Sequence, residues 1–552
     1  MNMNSSRSYL PCQPPLRDHD ARLVAMRSIP PRLWALALLS AILQILPFSI
    51  AGPVPLWRRI FCWFCLVPLL STLLDLNREG KSLRVRHAAL LAYLSGVLWY
   101  AGNCYWIYRT MHLYGNIPSI PSFGILILFS LYLGLYPALF GILVGALHAK
   151  YSRNLVLLAV PFVWVAVELA RARITGFPWD LLGYTQVNNL VLTRLAPWTG
   201  VMGISFVIAA VNALWLIRPA NTRLKYVPPV IALLVTLIAT SNAVHKRSAF
   251  LEVTEGVATL LQENLGVGSE AIGNKETKQD MLAAFSQLSL YPAILDPAHQ
   301  PSQIIIWPEA PTDFIDTDPL LRQSVGDLAR QTNAAVIIND VTVASYKGNR
   351  PQLYNSASFF LPDGTYAGRY DKMHLVPFGE YTPYKPLFFF VGDLLDDLLF
   401  IPGSHRTVFP VADKKYGVFI CYESIFGDEL RHFALNGAQV LVNISDDGWY
   451  GDTSAPWEHL DMARMRAIEN HRWVLRATNT GITAAIDPEG RITATIPRHI
   501  RTSVQVPFGF ESDLTFYSRY GDWFAWLCAL ATAGLLLLGF TRKTRPAQSQ
   551  VN

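Results

Sequence analysis

Long apolar runs lie on both sides of a more polar segment, and their lengths predict helices that cross a membrane. A helix needs about 20 mostly apolar residues to span roughly 30 Å of hydrocarbon. Seven such stretches lie between residues 33 and 245, and an eighth follows the polar segment. They occupy about 33–50, 60–76, 88–107, 122–148, 155–172, 198–217, 227–244 and 522–540. The pattern predicts an α-helical membrane bundle of about eight transmembrane helices.

Residues 250–515 have a different pattern, in which short β-branched runs alternate with turns. Runs of strand length lie at 258–265, 303–310, 334–343, 416–424 and 438–447. Hairpin turns are indicated at Pro362–Gly364 and Pro488–Gly490, and helices at about 319–332 and 456–471. Alternating strands and helices with hairpins are typical of an α/β or α+β sandwich. We therefore expect a globular domain between the seventh and eighth membrane helices.

Composition supports a membrane protein and limits the class of partner. Charged residues make up 16% of the 552 residues, against roughly 25% in soluble domains. Six cysteines are too few for a disulfide framework. The net charge of +6 is small, and Lys and Arg lie at the ends of apolar runs. These features favour a membrane over a nucleic acid as the partner.

Basic residues in the short loops predict the orientation of the bundle. They concentrate in the loops at 78–86, 150–153 and 218–225 and in both tails. Positive loops face the cytoplasm, so both termini are expected there, and seven crossings place the globular domain outside. The predicted divisions are a cytoplasmic tail at 1–32, seven helices at 33–245, the globular domain at 250–515, an eighth helix at 522–540 and a cytoplasmic tail at 541–552.

Cys421 is a candidate reactive residue. It is the only cysteine between residues 105 and 527, so it has no disulfide partner within its own domain. It ends the apolar run Gly417–Ile420 and is followed at once by polar residues. Sites in α/β domains are usually built at strand ends. Cys421 is therefore either a small buried apolar side chain or a nucleophilic thiol.

Two charged residues could act together with such a thiol. Glu309 follows the apolar run Ile304–Pro308 and is either a solvated loop residue or a partly buried general base. Lys372 follows the predicted hairpin and, alone, is one lysine among many. Together, the carboxylate would take the thiol proton, and the ammonium would stabilise the oxyanion of a tetrahedral intermediate.

Three short motifs carry a resemblance to a known superfamily. WPEA around Glu309, DKMHLVPFGEY around Lys372 and CYES around Cys421, in that order, resemble the Glu–Lys–Cys signature of the nitrilase (carbon–nitrogen hydrolase) superfamily. Such a domain between seven helices and one helix is similar to a single family, the bacterial apolipoprotein N-acyltransferases. The resemblance spans most of the chain from residue 33 to 540. It implies an α-β-β-α sandwich for the globular domain.

The resemblance also implies roles for individual residues. Glu309 would be the base, Lys372 the oxyanion stabiliser and Cys421 the nucleophile. The supporting carboxylates and site-lining aromatics would be Glu380, Glu423, Tyr422 and Trp449. The chain departs from the family where the usual Asn-Asp-Ala before Trp449 reads Asp446-Asp447-Gly448, and where a frequent Trp after the first strand of the domain is missing.

The reaction implied by the family has two substrates and a membrane location. Cys421 would take an acyl chain from a membrane phospholipid and pass it to the N-terminal amine of a diacylglyceryl-cysteine apolipoprotein. The family implies a bacterial inner-membrane enzyme with a periplasmic catalytic domain. We expect it to act as a monomer. Neither a P-loop nor a GxGxxG motif after a strand is present, so no nucleotide or metal cofactor is expected.

Other interpretations of the sequence remain open. The chain could be a membrane-tethered nitrilase-type amidase, or a transporter with coincidental motif residues, although its predicted helices contain few ionisable side chains. The apolar run 386–401 is either an amphipathic core helix or an arm that enters the outer leaflet. His459 and His471 belong to no metal-like cluster and are interpreted as structural histidines.

Overall fold

The computed structural model describes residues 29–76, 82–219, 221, 224–244, 254–268, 277–296, 300–309, 312, 314–381 and 400–541. Three sequence predictions therefore lie largely or wholly outside the described residues. They are the predicted tails, apart from their residues nearest the bundle, and most of the apolar run 386–401.

Apolar helices occupy each of the stretches that hydropathy indicates, although their bounds differ from the prediction. The helices are Pro31–Ile45, Leu56–Arg59, Ile60–Trp63, Val67–Leu73, Val85–Asn103, Ser119–Leu133, Leu135–His148, Arg153–Ala170, Val201–Leu214, Val227–Val244 and Trp523–Phe540. Within the described residues, four stretches are long and apolar enough to cross a membrane: Leu56–Leu73, Ser119–His148, Arg153–Thr175 and Trp523–Phe540. The chain therefore has a membrane region, and the count of eight spans stays a prediction.

Small residues let two of these helices approach closely. Gly96, in Val85–Asn103, faces Pro137 of the helix Leu135–His148, and a Cβ atom there would lie 2.4 Å from the proline ring. Gly141 faces Ala88 in the same pair of helices, with a corresponding distance of 2.6 Å to a backbone oxygen. Close backbone approach at small residues is the usual basis of helix association in membranes.

The polar segment folds into two six-stranded sheets. Its strands are β1 (Gly256–Gln262), β2 (Ile304–Ile306), β3 (Ala335–Lys347), β4 (Arg350–Phe360), β5 (Tyr366–Asp371), β6 (Val408–Val411), β7 (Lys414–Ile420), β8 (Val440–Ser445), β9 (Trp473–Thr478), β10 (Thr483–Ile486), β11 (Ile492–Ile496) and β12 (Thr502–Phe508). One sheet has the order β12-β1-β2-β3-β4-β5 and the other β11-β10-β9-β8-β7-β6. The strands β1-β2-β3 and β7-β8-β9 are parallel, and the remaining pairs are antiparallel.

The sheets form the inner layers of an α-β-β-α sandwich. One apolar core contains side chains of both sheets, such as Ile306 of β2 and Val418 of β7. The helices Lys278–Leu295 and Pro319–Thr332 cover the first sheet, and Gly427–Leu435 and Ala455–Asn470 cover the second. The predicted sandwich is confirmed.

The helix Ala455–Asn470 is buried on both sides and joins the sandwich to the membrane region. Ala463 and Ala467 contribute to the apolar core of the sandwich. Met462 and Met465 contribute to the core of the membrane helices instead. This layer of the sandwich therefore lies directly on the membrane region.

The predicted strands are confirmed, with corrected ends. Both predicted hairpins are present, at the β4–β5 and β10–β11 turns. The predicted strand 258–265 ends at Gln262, and Asn264 has a left-handed backbone with φ +58°. The predicted strand 416–424 ends at Ile420, because the chain turns at Cys421 into a short 3₁₀ helix, Cys421–Ile425.

Candidate active site

The three candidate residues lie just beyond three different strands. Glu309 follows β2, Lys372 directly follows β5, and Cys421 directly follows β7. The first two strands belong to one sheet and β7 to the other. Glu309 and Lys372 both act electrostatically on the Cys421 thiol. The fold therefore brings together residues that are 112 positions apart in the sequence.

Lys372 is buried between two carboxylates. Its side chain is 1% exposed, and Nζ lies 3.3 Å from Glu309 Oε1 and 3.0 Å from Glu380 Oε1. Burial alone would lower the pKa of Lys372, but Glu309 and Glu380 raise it well above its ordinary value. The lysine is thus a fixed positive charge at neutral pH, which is the state that an oxyanion requires.

An asparagine that the sequence analysis missed links these two carboxylates. Asn355 Nδ2, on β4, donates hydrogen bonds to Glu309 Oε1 at 2.8 Å and to Glu380 Oε1 at 2.9 Å. Asn339 of β3 donates in turn to Asn355 Oδ1 at 2.8 Å. The sequence does contain a signal for this contact, because two asparagines lie within strands that form a hairpin. A buried side-chain amide needs hydrogen-bond partners, so such asparagines indicate nearby polar groups.

Both glutamates are also held by backbone groups. The Asp446 N–H donates to Glu309 Oε2 at 3.1 Å, so three donors face the Glu309 carboxylate. The Val376 N–H donates to Glu380 Oε2 at 2.7 Å. These hydrogen bonds fix the position of both carboxyl groups. Glu380 thus ties the loop after Lys372 to the ammonium itself.

Cys421 has a strained backbone and a protonated thiol. Its φ of +48° is left-handed, which costs a non-glycine residue about 1–2 kcal/mol. The side chain is buried, and burial together with Glu309 raises the pKa of the thiol well above its usual value, although Lys372 opposes them. The thiol therefore needs a base before it can attack. Two carboxylates act on it, Glu309 and Asp447, and Asp447 is already paired with His459 and Arg476.

Glu423 joins the nucleophile turn to the lysine loop. It accepts hydrogen bonds from the Ile420, Met373 and His374 N–H groups and from the Tyr370 hydroxyl, at 2.7–3.1 Å. Both oxygens accept hydrogen bonds, so Glu423 fixes the position of Cys421 relative to Lys372.

The two predicted aromatic residues differ in their positions. Tyr422 is buried, and its hydroxyl donates to the Gly176 carbonyl of the membrane region at 3.4 Å. Trp449 is 43% exposed, and its carbonyl accepts a hydrogen bond from Thr110 at 2.9 Å. Its ring meets Tyr114 edge-on. Both therefore lie at the junction between the sandwich and the membrane region, but only Tyr422 lines the cavity beside the candidate residues.

That cavity has a volume of about 610 Å³ and is bounded by both parts of the chain. The membrane region contributes walls that include Pro178 and Met202, and the sandwich contributes Met373, Tyr422 and Phe426. Met373 and Tyr422 adjoin Lys372 and Cys421 in the sequence. A space lined by both apolar and charged side chains thus opens next to the nucleophile turn and the lysine loop.

One group among the described residues places three potential metal ligands together. The ligand atoms of His471, Glu511 and Asp513 lie within 4.8 Å of one another at the surface. Arg472 Nη1 lies 3.5 Å from Asp513 Oδ1 and supplies positive charge already. This group is remote in sequence from the triad candidates and is not part of their cluster.

Comparisons with known proteins agree with the fold. Residues 253–506 match the Carbon-nitrogen hydrolase family, and residues 40–214 match the Apolipoprotein N-acyltransferase N-terminal domain. The sandwich is thus a carbon–nitrogen hydrolase domain. An apolipoprotein N-acyltransferase of Geobacter metallireducens is 35% identical over 535 residues, which cover 95% of this chain and 98% of the relative. One from Methylococcus capsulatus is 34% identical over 84% of this chain and 89% of the relative. The chain belongs to the apolipoprotein N-acyltransferase family.

Solved structures similar to the chain include members of the nitrilase superfamily. Saccharomyces cerevisiae Nit3, a member of branch 10 of that superfamily, is 16% identical, with a TM-score of 0.36, over 50% of this chain and 97% of its own. An amidase from Nesterenkonia sp. is 15% identical, with a TM-score of 0.36, over 48% of this chain and 95% of its own.

Proposed function

We propose that the chain transfers an acyl chain from a membrane phospholipid to the N-terminal amine of a diacylglyceryl-cysteine apolipoprotein, through a thioester on Cys421. The observation that carries this proposal is the buried cluster of Glu309, Lys372 and Glu380 acting on the Cys421 thiol beside a cavity that the membrane region helps to form. Family membership supports the apolipoprotein as acceptor.

In the first half-reaction, Glu309 takes the proton from the Cys421 thiol, and the sulfur attacks the ester carbonyl of the phospholipid. Lys372 stabilises the oxyanion of the tetrahedral intermediate, an effect worth about 3–4 kcal/mol for one such donor. The intermediate collapses when the C–O bond breaks. The departing oxygen takes the proton from Glu309, and lysophospholipid leaves the Cys421 thioester behind.

In the second half-reaction, the free amine of the acceptor attacks the thioester carbonyl. Glu309 removes a proton from the nitrogen, and Lys372 again stabilises the oxyanion. The C–S bond breaks, the sulfur takes the proton back from Glu309, and an amide is released. One carboxylate thus serves first as base and then as acid in each half-reaction of a ping-pong scheme.

The supporting residues act on the members of this triad. Glu380 and Asn355 hold Lys372 and Glu309 in position, and Glu423 holds the Cys421 turn. Tyr422 lines the acyl cavity, and Trp449 lies at the junction with the membrane region. All of these groups come from one chain, so a monomer suffices for the scheme.

The membrane wall of the cavity favours a lipid donor over a small soluble amide. A water-soluble amide requires only a cleft in the sandwich. Here, the space beside Tyr422 extends along Pro178 and Met202 of the membrane region. An acyl chain that enters from the bilayer would contact these apolar side chains on its way to the turn that carries Tyr422.

The same proposal includes the topology. The basic loops place both termini in the cytoplasm and the domain 250–515 in the periplasm of a bacterial inner membrane, with seven helices before it and one after it. Single cysteines in the tail 1–30 should be shielded from an impermeant thiol reagent in intact spheroplasts. A cysteine at Asp413, whose side chain is 82% exposed, should be labelled. Labelling of the tail in sealed cells would contradict this orientation.

The covalent step is tested by intact-mass spectrometry of the purified chain with phospholipid alone. We expect the mass of one acyl chain to be added, hydroxylamine to remove it, and Cys421→Ala to acquire none. A lipopeptide with a free N-terminal amine should discharge the adduct, while the same peptide with a blocked amine should not. An adduct on Cys421→Ala would refute the nucleophile, and equal discharge by water without any amine would favour an amidase.

A further inference from the structure

A buried histidine lies directly behind the nucleophile turn. His459, on the helix Ala455–Asn470, has no exposed surface. Its Nε2 lies 3.0 Å from the carbonyl oxygen of Cys421. A carbonyl oxygen can only accept a hydrogen bond, so Nε2 carries the ring proton. The Nε2–H group therefore donates a hydrogen bond to the backbone of the nucleophile residue. The sequence had indicated only a structural histidine here.

The other side of the imidazole ring is held by a buried ion pair. His459 Nδ1 lies 2.8 Å from Asp447 Oδ1 and 3.2 Å from Arg476 Nη2, which also donates to Asp447 Oδ2 at 2.6 Å. With the proton on Nε2, Nδ1 accepts a hydrogen bond from Arg476. All three side chains are fully buried. Ser445 also donates to Asp447, at 3.0 Å. The ring therefore has one fixed orientation, which aims Nε2 at the Cys421 carbonyl.

Cys421 needs such a contact because its backbone is strained. A left-handed φ of +48° persists in a non-glycine residue only where the surroundings over-determine it. Glu423 holds the amide side of the turn through the Ile420 N–H at 2.7 Å. His459 holds the carbonyl side. Because Sγ moves with the backbone that carries it, these two contacts set where the sulfur points.

The membrane region covers the histidine. Trp179, in the connection that follows the helix Arg153–Ala170, stacks on the His459 ring with centroids 6.0 Å apart and planes inclined by 17°. Trp179 is fully buried, and its Nε1 donates to Glu458 Oε2 at 2.7 Å. A residue of the membrane region thus contacts the one side chain that supports the nucleophile from behind.

We propose that His459 is a positioning residue that holds the nucleophile turn through the Cys421 carbonyl, and that Trp179 of the membrane region fixes the His459 ring. The alignment of Cys421 thereby depends on the docking of the sandwich onto the membrane region. This inference rests on the proposed role of Cys421 as the nucleophile.

The histidine is tested in the full chain by His459→Phe and His459→Gln. Phenylalanine keeps a ring under Trp179 but removes the donor, whereas glutamine keeps an N–H donor of similar reach. We measure alkylation of Cys421 by iodoacetamide, read on its peptide by mass spectrometry, and kcat and KM for phospholipid. His459→Phe should lower the alkylation rate and kcat about 10- to 100-fold, the equivalent of one buried hydrogen bond, while KM changes little.

The comparison between the two variants decides between positioning and packing. Recovery of most of the lost rate in His459→Gln supports the donor role, since glutamine packs worse than phenylalanine against Trp179. A rate in His459→Phe at or above that of His459→Gln would overturn it. In the same experiments the parent must form the acyl adduct on Cys421 with phospholipid. If the parent forms no acyl adduct, the proposed function is overturned rather than the role of His459.

The contribution of the membrane region is tested by Trp179→Phe and Trp179→Ala, with His471→Gln as a control at the end of the same helix. Trp179→Ala removes the ring that stacks on His459. It should slow Cys421 alkylation about tenfold, which is the same kind of loss that we expect for His459→Phe. Trp179→Phe keeps a stacked ring and should slow it less. Equal slowing by both Trp179 variants, or the same slowing in His471→Gln, would overturn the proposed coupling.

Discussion

Replacement of Glu423 by glutamine should misalign the nucleophile turn and the lysine loop. The Glu423 carboxylate accepts four hydrogen bonds, three of them at one oxygen and the fourth, from the Ile420 N–H, at the other. Glutamine offers one acceptor oxygen, and its NH₂ group can only donate. Whichever way the amide turns, at least one buried donor then faces another donor.

The magnitude follows from the better of the two orientations, in which the NH₂ group faces Ile420. Loss of a hydrogen bond to a charged group costs about 1.5–3 kcal/mol, and the remaining bonds weaken because charge-assisted bonds are about twice as strong as neutral ones. Burial raises the pKa of Glu423, so removal of the charge returns part of this loss. The net cost is about 2–4 kcal/mol, or about 30- to 700-fold in the population of the aligned turn.

The assay is the rate of thioester formation with phospholipid alone, read by intact mass. Glu423→Gln should form the adduct at least tenfold more slowly, and Glu255→Gln is the control. Glu255 is exposed, does not line the cavity and pairs with Lys414, a surface interaction that contributes little to stability. A folded Glu423→Gln variant that acylates at the parent's rate would refute the view that this carboxylate aligns the turn.

Four further substitutions test the remaining contacts. Glu309→Gln should abolish Cys421 alkylation at neutral pH, and unchanged alkylation would show that Glu309 is not the base. Lys372→Met should mainly abolish turnover, because loss of oxyanion stabilisation costs about 3–4 kcal/mol. Asn355→Leu should lower kcat about 10- to 100-fold, and parent-like kinetics would contradict the bridging role. Burial and Glu309 raise the pKa of Asp446 to about 8. This pKa is above the value for an unfolded chain, so the protonated form of Asp446 stabilises the fold. The free energy of unfolding of the parent should therefore fall, relative to that of Asp446→Asn, as the pH rises from about 4 to 8. The same dependence of this free energy on pH in both proteins would contradict the prediction.

Two members of the candidate triad were predictable because each ends an apolar run, whereas Lys372 was indicated only by its family motif. Cys421 follows Gly417–Ile420 and Glu309 follows Ile304–Pro308, and both transitions are visible in the sequence. Their supporting residue Asn355 was not predictable in the same way. Its two carboxylate partners lie 46 and 25 positions away, and only the register of β4 in its sheet directs the amide towards them.

Hydropathy predicted where the membrane helices lie but not how they end. The apolar stretch 122–148 contains two helices that meet at Gly134, and the stretch 60–76 contains a 3₁₀ helix and an α-helix separated by a turn. Such breaks depend on packing against neighbouring helices, as at Gly96 and Pro137. A sum of side-chain hydropathies carries no information about that packing.

The docking of the sandwich onto the membrane region was hidden for a different reason. The helix Ala455–Asn470 carries charged residues at many positions, which in a sequence is typical of a solvated surface. In the structure, Arg466 and Glu469 are fully buried and pair with each other at 3.0 Å, Glu469 accepts the Val201 N–H of the membrane region at 2.9 Å, and Arg466 donates to Tyr184 at 3.2 Å. Buried charges of this kind are tolerated only while their partners are present. If the two parts separated, Glu469 would lose its contact with Val201, and Arg466 would lose its contact with Tyr184. The same helix carries His459, which would lose its contact with Trp179. The nucleophile turn would therefore lose its support at the same time.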